Sequence, residues 1–222
     1  MKKRYIGLTG VIGMGVLVMA ALAMPARAAD SGFYLDADAG VALADKVEIK
    51  TFFGPTPGTT VKFDPGIRFG VAGGYNFNRY IGAGFETGFI YNNIKSVNGG
   101  GSIDASLSHI PMMANVVIRY DQPDCKWVPY GGVGAGGDVS IIYLNNVEGN
   151  GVIADGADST IVFAWQAFSG VRYKFNEKMS LGAGYKYYSA SGASWDFADF
   201  SDSIKIGRAN VHSLLVEFNL KF

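Results

Sequence analysis

Leu214-Leu215-Val216-Glu217-Phe218-Asn219-Leu220-Lys221-Phe222 ends the sequence, and its alternation decides how the rest is read. Leu214, Val216, Phe218, Leu220 and Phe222 are apolar at every second position, with Leu215, Glu217, Asn219 and Lys221 between them. A strand sends alternate side chains to opposite faces, so this segment has one apolar wall and one mostly polar wall.

Seven earlier segments repeat the pattern: about Gly32 to Leu43, Pro65 to Phe77, Tyr80 to Tyr91, Ala105 to Tyr120, Trp127 to Tyr143, Ser159 to Phe175 and Met179 to Ser189. Each sets a row such as Ile67, Phe69 and Val71 against a row such as Arg68, Gly70 and Ala72. Short turns are expected at Asn78-Arg79, Asp121 to Lys126 and Asn176-Glu177-Lys178. Long loops are expected at Ala44 to Asp64, Asn92 to Asp104, Leu144 to Asp158 and Ala190 to Gly207. Eight antiparallel strands with short and long connections in alternation suit an up-and-down barrel.

The start of the chain predicts export. Lys2, Lys3 and Arg4 precede an apolar stretch from Ile6 to Ala23, then Pro25 and the small-x-small run Ala26-Arg27-Ala28. The expected division is a signal peptide over residues 1–28 and a barrel over 29–222. Four of the 19 basic residues lie in that leader and none of the 19 acidic ones, so the remaining chain is net acidic by four charges. A nucleic-acid partner would call for a clustered basic surface and is not expected. No later stretch approaches a helical span, so any membrane crossing must use a closed barrel that leaves no backbone group unpaired in lipid.

Alternation alone does not say which wall faces inward; a lipocalin-like barrel alternates too, with its apolar wall inside. Glycine distinguishes them. Most strand glycines, including Gly70, Gly82, Gly84, Gly132, Gly134, Gly182 and Gly184, share the polar wall with the charges. A narrow interior is where side chains run out of room, whereas Phe, Leu, Ile and Tyr are accommodated freely by lipid. Tyr75, Phe77, Tyr80, Tyr120, Trp127, Tyr173, Phe175 and Phe222 gather near the short turns or the C-terminus, as a headgroup belt would.

The segments His109–Tyr120 (HIPMMANVVIRY), Trp127–Gly137 (WVPYGGVGAGG), Phe163–Ser189 and His212–Phe222 (HSLLVEFNLKF) resemble the small outer-membrane β-barrel family of OmpA-type and opacity-type surface antigens. The resemblance implies an eight-stranded barrel in a Gram-negative outer membrane, in contact with outer-membrane lipids and lipopolysaccharide. It also implies recognition of the terminal strand, ending at Phe222, by the barrel-assembly machinery. The function expected is structural, with a surface-loop adhesive or antigenic role toward a host or other surface ligand, carried by a monomer. The alternatives are a narrow porin-like channel and a lipid A-modifying enzyme.

The inner wall should carry Asp36, Asp38, Arg68, Glu86, Arg119, Arg172, Lys174, Lys186, Glu217 and Lys221. Buried charges must pair, so an internal salt-bridge network is expected, with Lys186–Glu217 as first pair and Glu86 as another member. No catalytic, cofactor or metal site is expected. The histidines His109 and His212 neighbour Ser108 and Ser213, but strand neighbours point to opposite faces and form no local dyad. His212 is expected on the lipid face near the outer rim. Two histidines and Cys125 make a poor zinc set, and the acidic run Asp196 to Asp202 lacks calcium-loop spacing. Phe52-Phe53, Trp195, Phe197 and Phe200 are the loop aromatics, expected either as an exposed contact surface or packed on one another or on the barrel rim. The glycine-rich runs Asn98 to Gly101 and Glu148 to Gly151 are expected as mobile tips.

Overall fold

A computed structural model describes residues 31–52, 55–98, 103–149, 152–196 and 203–222; the expected signal peptide lies outside them. The strands are β1 (Gly32–Ala44), β2 (Val47–Thr51), β3 (Pro55–Phe63), β4 (Gly66–Asn76), β5 (Ile81–Val97), β6 (Ala105–Arg119), β7 (Trp127–Gly149), β8 (Val152–Lys174), β9 (Met179–Ala190), β10 (Ser194–Trp195), β11 (Ile204–Ile206) and β12 (Ala209–Lys221). Eight close into an antiparallel ring, β5-β4-β1-β12-β9-β8-β7-β6, sealed by β5 against β6. Closure brings the first and last strands together from Tyr34↔Lys221 to Ala44↔Val211.

At one end the turns are tight and chemically alike. Asn78 Oδ1 accepts from the backbone N–H groups of Tyr80 (2.8 Å) and Ile81 (2.9 Å), and Asn176 Oδ1 accepts from those of Lys178 (2.9 Å) and Met179 (2.8 Å). A short amide side chain that mimics the next backbone turn is why Phe-Asn stands at both sites. The belt aromatics pack edge to face beside them, with Trp127–Tyr173 centroids 5.0 Å apart and Tyr75–Phe77 5.8 Å.

The other end departs from expectation. The Ala44–Asp64 loop contains the β2–β3 hairpin, and the Ala190–Gly207 loop contains β10 and β11. These short strands run β10-β11-β2-β3 and join the far end of β5. β7 and β8 continue as a hairpin past the Leu144 boundary to Gly149 and Val152. The physical cause is local alternation, as in Val47-Glu48-Ile49-Lys50, which lets hairpin arms pair wherever a neighbouring edge is free.

The walls face as the glycines imply. Ile161 is 72% exposed, and Phe163, Leu214, Val216 and Ile118 are likewise on the outside, while Arg68 (1%), Glu86, Lys186 and Glu217 are buried in the lumen. No helix among the described residues is long and apolar enough to cross a membrane; that statement does not bear on strands. An apolar belt this continuous needs a non-aqueous partner.

Candidate functional site

The lumen is filled in layers. At its centre, Glu86 on β5 accepts from Lys186 on β9 (2.6 Å) and Arg68 on β4 (2.9 Å) through one oxygen. The other oxygen accepts from Asn115 on β6 (2.9 Å) and Gln166 on β8 (2.9 Å). Asp38 on β1 completes the group, 3.2 Å from Lys186 Nζ. One carboxylate thus ties four other strands together, and Asp38 adds β1 through Lys186. The next layer toward the short turns centres on Arg172 of β8, 3.3 Å from both Asp36 on β1 and Glu217 on β12. Tyr130 on β7 donates its hydroxyl to Glu217. Between them the two layers draw on all eight barrel strands.

The expected Lys186–Glu217 pair does not form. In the β9–β12 ladder Lys186 stands opposite Ser213 and Glu217 opposite Gly182. That is a stagger of four residues, roughly 13 Å along a strand. Gly182 also faces Arg172, and the missing side chain there lets the guanidinium cross to Glu217: a Cβ on Gly182 would lie 2.7 Å from Arg172 Cγ. Gly184 likewise leaves room for the Glu217 carboxylate and the Tyr130 hydroxyl. What remains between the layers is a cavity of about 30 Å³ bordered by Tyr34, Asp38, Glu86, Arg172 and Glu217. That is room for one or two waters.

At the short-turn end Asp121 lies outside the strands and accepts from Lys174 (2.7 Å) and Lys221 (2.6 Å). Burial favours its neutral form, but these two ammonium donors outweigh that and hold its carboxyl below the usual range. Arg119 closes the same end by donating to the carbonyls of Asn78 (2.8 Å) and Arg79 (3.1 Å).

Above the central charges the lumen turns apolar around Ala42, Ile90, Met113, Ala164, Ala190 and Val211. Buried among them, His109 Nδ1 lies 2.7 Å from Asp138 Oδ2, with Ser140 directly across the β6–β7 ladder from His109. The composition is that of a hydrolase triad, yet Ser140 Oγ makes no hydrogen bond, so the nucleophile–base link is missing. The adjacent serines Ser108 and Ser213 make no hydrogen bond to His109 or His212, whose partners are Asp138 and Tyr185. The cross-strand register that sets His109 beside Asp138 and Ser140 is not readable from one segment. His212 is on the lipid face, its Nδ1 2.6 Å from the Tyr185 hydroxyl and its Nε2 3.6 Å from Asp45.

The mouth is capped by the loop strands. Val47, Ile49, Val61 and Phe63 from β2–β3 and Trp195, Ile204 and Ile206 from β10–β11 lean over Ile94, Leu107, Ile142 and Leu144 at the far ends of β5, β6 and β7. They line an apolar pocket of about 230 Å³ that is partly open to the outside. Trp195 is fully buried, and its indole N–H donates to the Ser140 carbonyl at 2.9 Å. Of the two alternatives for the loop aromatics, Trp195 and Phe52 therefore follow the packed one; Phe53, Phe197 and Phe200 lie outside the described residues. So do most of the expected mobile tips, although Asn98 itself is bonded to Thr60 through both backbone (2.9 Å) and side chain (2.8 Å). Of the acidic run only Asp196 is described, and no cluster of three metal-ligating side chains occurs among the described residues. Cys125 is exposed in its turn.

A closed eight-stranded antiparallel barrel with a lipid-compatible wall and a charge-filled lumen is a small transmembrane β-barrel of the outer-membrane type. The chain belongs to the family described as the outer membrane protein beta-barrel domain, whose model matches residues 14–222. Its place is therefore the outer membrane; barrels of this type usually keep their short turns on the periplasmic side. No curated protein matches the sequence. Among solved structures it is similar to Neisserial surface protein A (19% identity, 86% of this chain and 99% of that one, TM-score 0.57). It is also similar to the outer membrane protein OprG of Pseudomonas aeruginosa (15%, 87% and 97%, TM-score 0.59). The outer membrane protease OmpT of Escherichia coli shares the fold more distantly (8%, 90% and 99%, TM-score 0.51). At these identities the likeness is one of fold.

Proposed function

We propose that the protein is a plugged membrane barrel, monomeric and without catalytic activity, whose work is done by its outer loops as a surface-binding element. The single observation behind this reading is the contrast between the two ends. All eight strands send side chains into lumen contacts that leave about 30 Å³ at the centre, whereas the outer loops build an ordered β-layer with its own pocket. A conducting pore needs the opposite distribution. Lipopolysaccharide then surrounds the belt, the β12 strand serves assembly, and the loop layer meets a host or other surface ligand.

Removing β2–β3 and β10–β11, with short turns in their place, should abolish adhesion of cells that display the protein. The barrel should still show heat-modifiable migration on gels. Planar-bilayer recording from purified monomer should show no large steady conductance. Adhesion that survives loop removal, or a stable open pore, would overturn the reading.

A further inference from the structure

The geometry points to a binding site for a small, uncharged apolar molecule in the pocket under the loop layer; the inference rests on the reading of that layer as the functional part. The lining sets the ligand's chemistry. It contains no Asp, Glu, Lys, Arg or His, and its polar side chains are already engaged: Thr56 donates to the Ile49 carbonyl (3.2 Å), Thr59 accepts from Asn98 (3.4 Å), and the Trp195 N–H is held by Ser140 (2.9 Å). The walls are paired strands, so their backbone groups are largely committed to ladders. A carboxylate or ammonium entering this space would lose its hydration with nothing to replace it.

The size sets the scale. An apolar cavity of about 150 Å³ lined by Leu, Ile and Phe stays dry and binds benzene. This pocket holds about 230 Å³ with the same kind of lining. A single substituted ring or a short alkyl chain fits, and the walls gain the dispersion contacts that an empty space denies them. Nor is the space a defect of loose loops: it is bounded by β2, β3, β10 and β11 and by the extended ends of β5, β6 and β7, each hydrogen-bonded to a neighbour.

The test uses Trp195 as reporter. The other two tryptophans, Trp127 and Trp165, are on the outer wall, so Trp127→Phe with Trp165→Phe leaves Trp195 as the lone indole. The full barrel in lipid nanodiscs is titrated with bromobenzene, whose heavy atom quenches fluorescence at contact, and with 4-bromobenzoate as its charged counterpart. Saturable quenching by bromobenzene is expected, with the benzoate at least about tenfold weaker. Ile204→Phe and, separately, Ile142→Trp (read by ligand-induced thermal stabilisation) should fill the pocket and remove the saturable binding while heat-modifiable migration persists. A purely linear, partition-like response from Trp195, equal affinity for the benzoate, or unchanged binding in Ile204→Phe would overturn the inference. Adhesion lost on loop removal without saturable quenching would sink the pocket alone. Saturable quenching in a barrel whose loop removal leaves adhesion intact would sink only the adhesive reading.

Discussion

Glu86→Gln is the sharpest perturbation of the lumen. Asp38 and Glu86 balance Arg68 and Lys186; Glu86, Arg68 and Lys186 are deeply buried and Asp38 is mostly so. The substitution leaves two cations facing one carboxylate, and Asp38 is 3.2 Å from Lys186 but 3.9 Å from Arg68. The amide cannot mimic the acid. Both carboxylate oxygens are acceptors: one faces the Arg68 and Lys186 donors, the other faces the Asn115 and Gln166 amides. Either orientation of the new NH2 group points a donor at two donors. Breaking one partner out of a buried ion pair costs about 3–5 kcal/mol, with each stranded donor accounting for about 1–3 kcal/mol of that. Urea unfolding of the barrel in lipid vesicles, followed by tryptophan emission and by heat-modifiable migration, should therefore shift by that amount. Glu86→Met combined with Lys186→Met removes one charge of each sign and should recover most of the loss, because an apolar replacement of a whole buried pair is often near neutral. A single variant within about 0.5 kcal/mol of wild type, or a double variant no more stable than the single, would refute the account of the lumen as a coupled charge network.

Other expectations follow from the same geometry. Asp121 is held below its unfolded value by Lys174 and Lys221, so its stabilisation is present above the usual carboxylate range and disappears as pH falls through the depressed folded value. Asp121→Asn should cost about 0.5–1 kcal/mol at neutral pH, and its unfolding curve should merge with wild type in acid; parallel curves at every pH would contradict this. A Cβ at Gly184 would overlap the Glu217 carboxylate, so Gly184→Ala should destabilise by about 1–3 kcal/mol. Gly137→Ala, whose nearest neighbour is Met112 Cε at 3.9 Å, should be silent in the same unfolding assay. His212→Ala, which removes outer-wall contacts to Tyr185, Tyr187 and Asp45, should leave surface binding and migration unchanged.

Much of this was legible in the chain. Period-two alternation located all eight barrel strands, and the crowding of glycine and charge on one face told inside from outside, because only a narrow lumen excludes Cβ atoms while lipid welcomes bulk. The Asn78 and Asn176 turns could be read locally, since an asparagine bonds to backbone two and three residues on. The loops were misread: Val47-Glu48-Ile49 and Ile204-Lys205-Ile206 alternate too, but such short runs among Gly and Pro become strands only when a neighbouring edge pairs with them.

Partnership was decided by tertiary structure alone. Each inward residue was assignable to the lumen, yet whether Lys186 met Glu217 or Glu86 depended on stagger around a closed ring, which alternation leaves undetermined. His109 found Asp138 for the same reason, across a ladder whose register no single strand encodes. The pocket is the furthest from the sequence: its walls come from seven strands, and their side chains share a space only because the barrel closes and the loop strands fold over its mouth. A strand's own residues choose its faces; the ring's closure chooses what those faces meet.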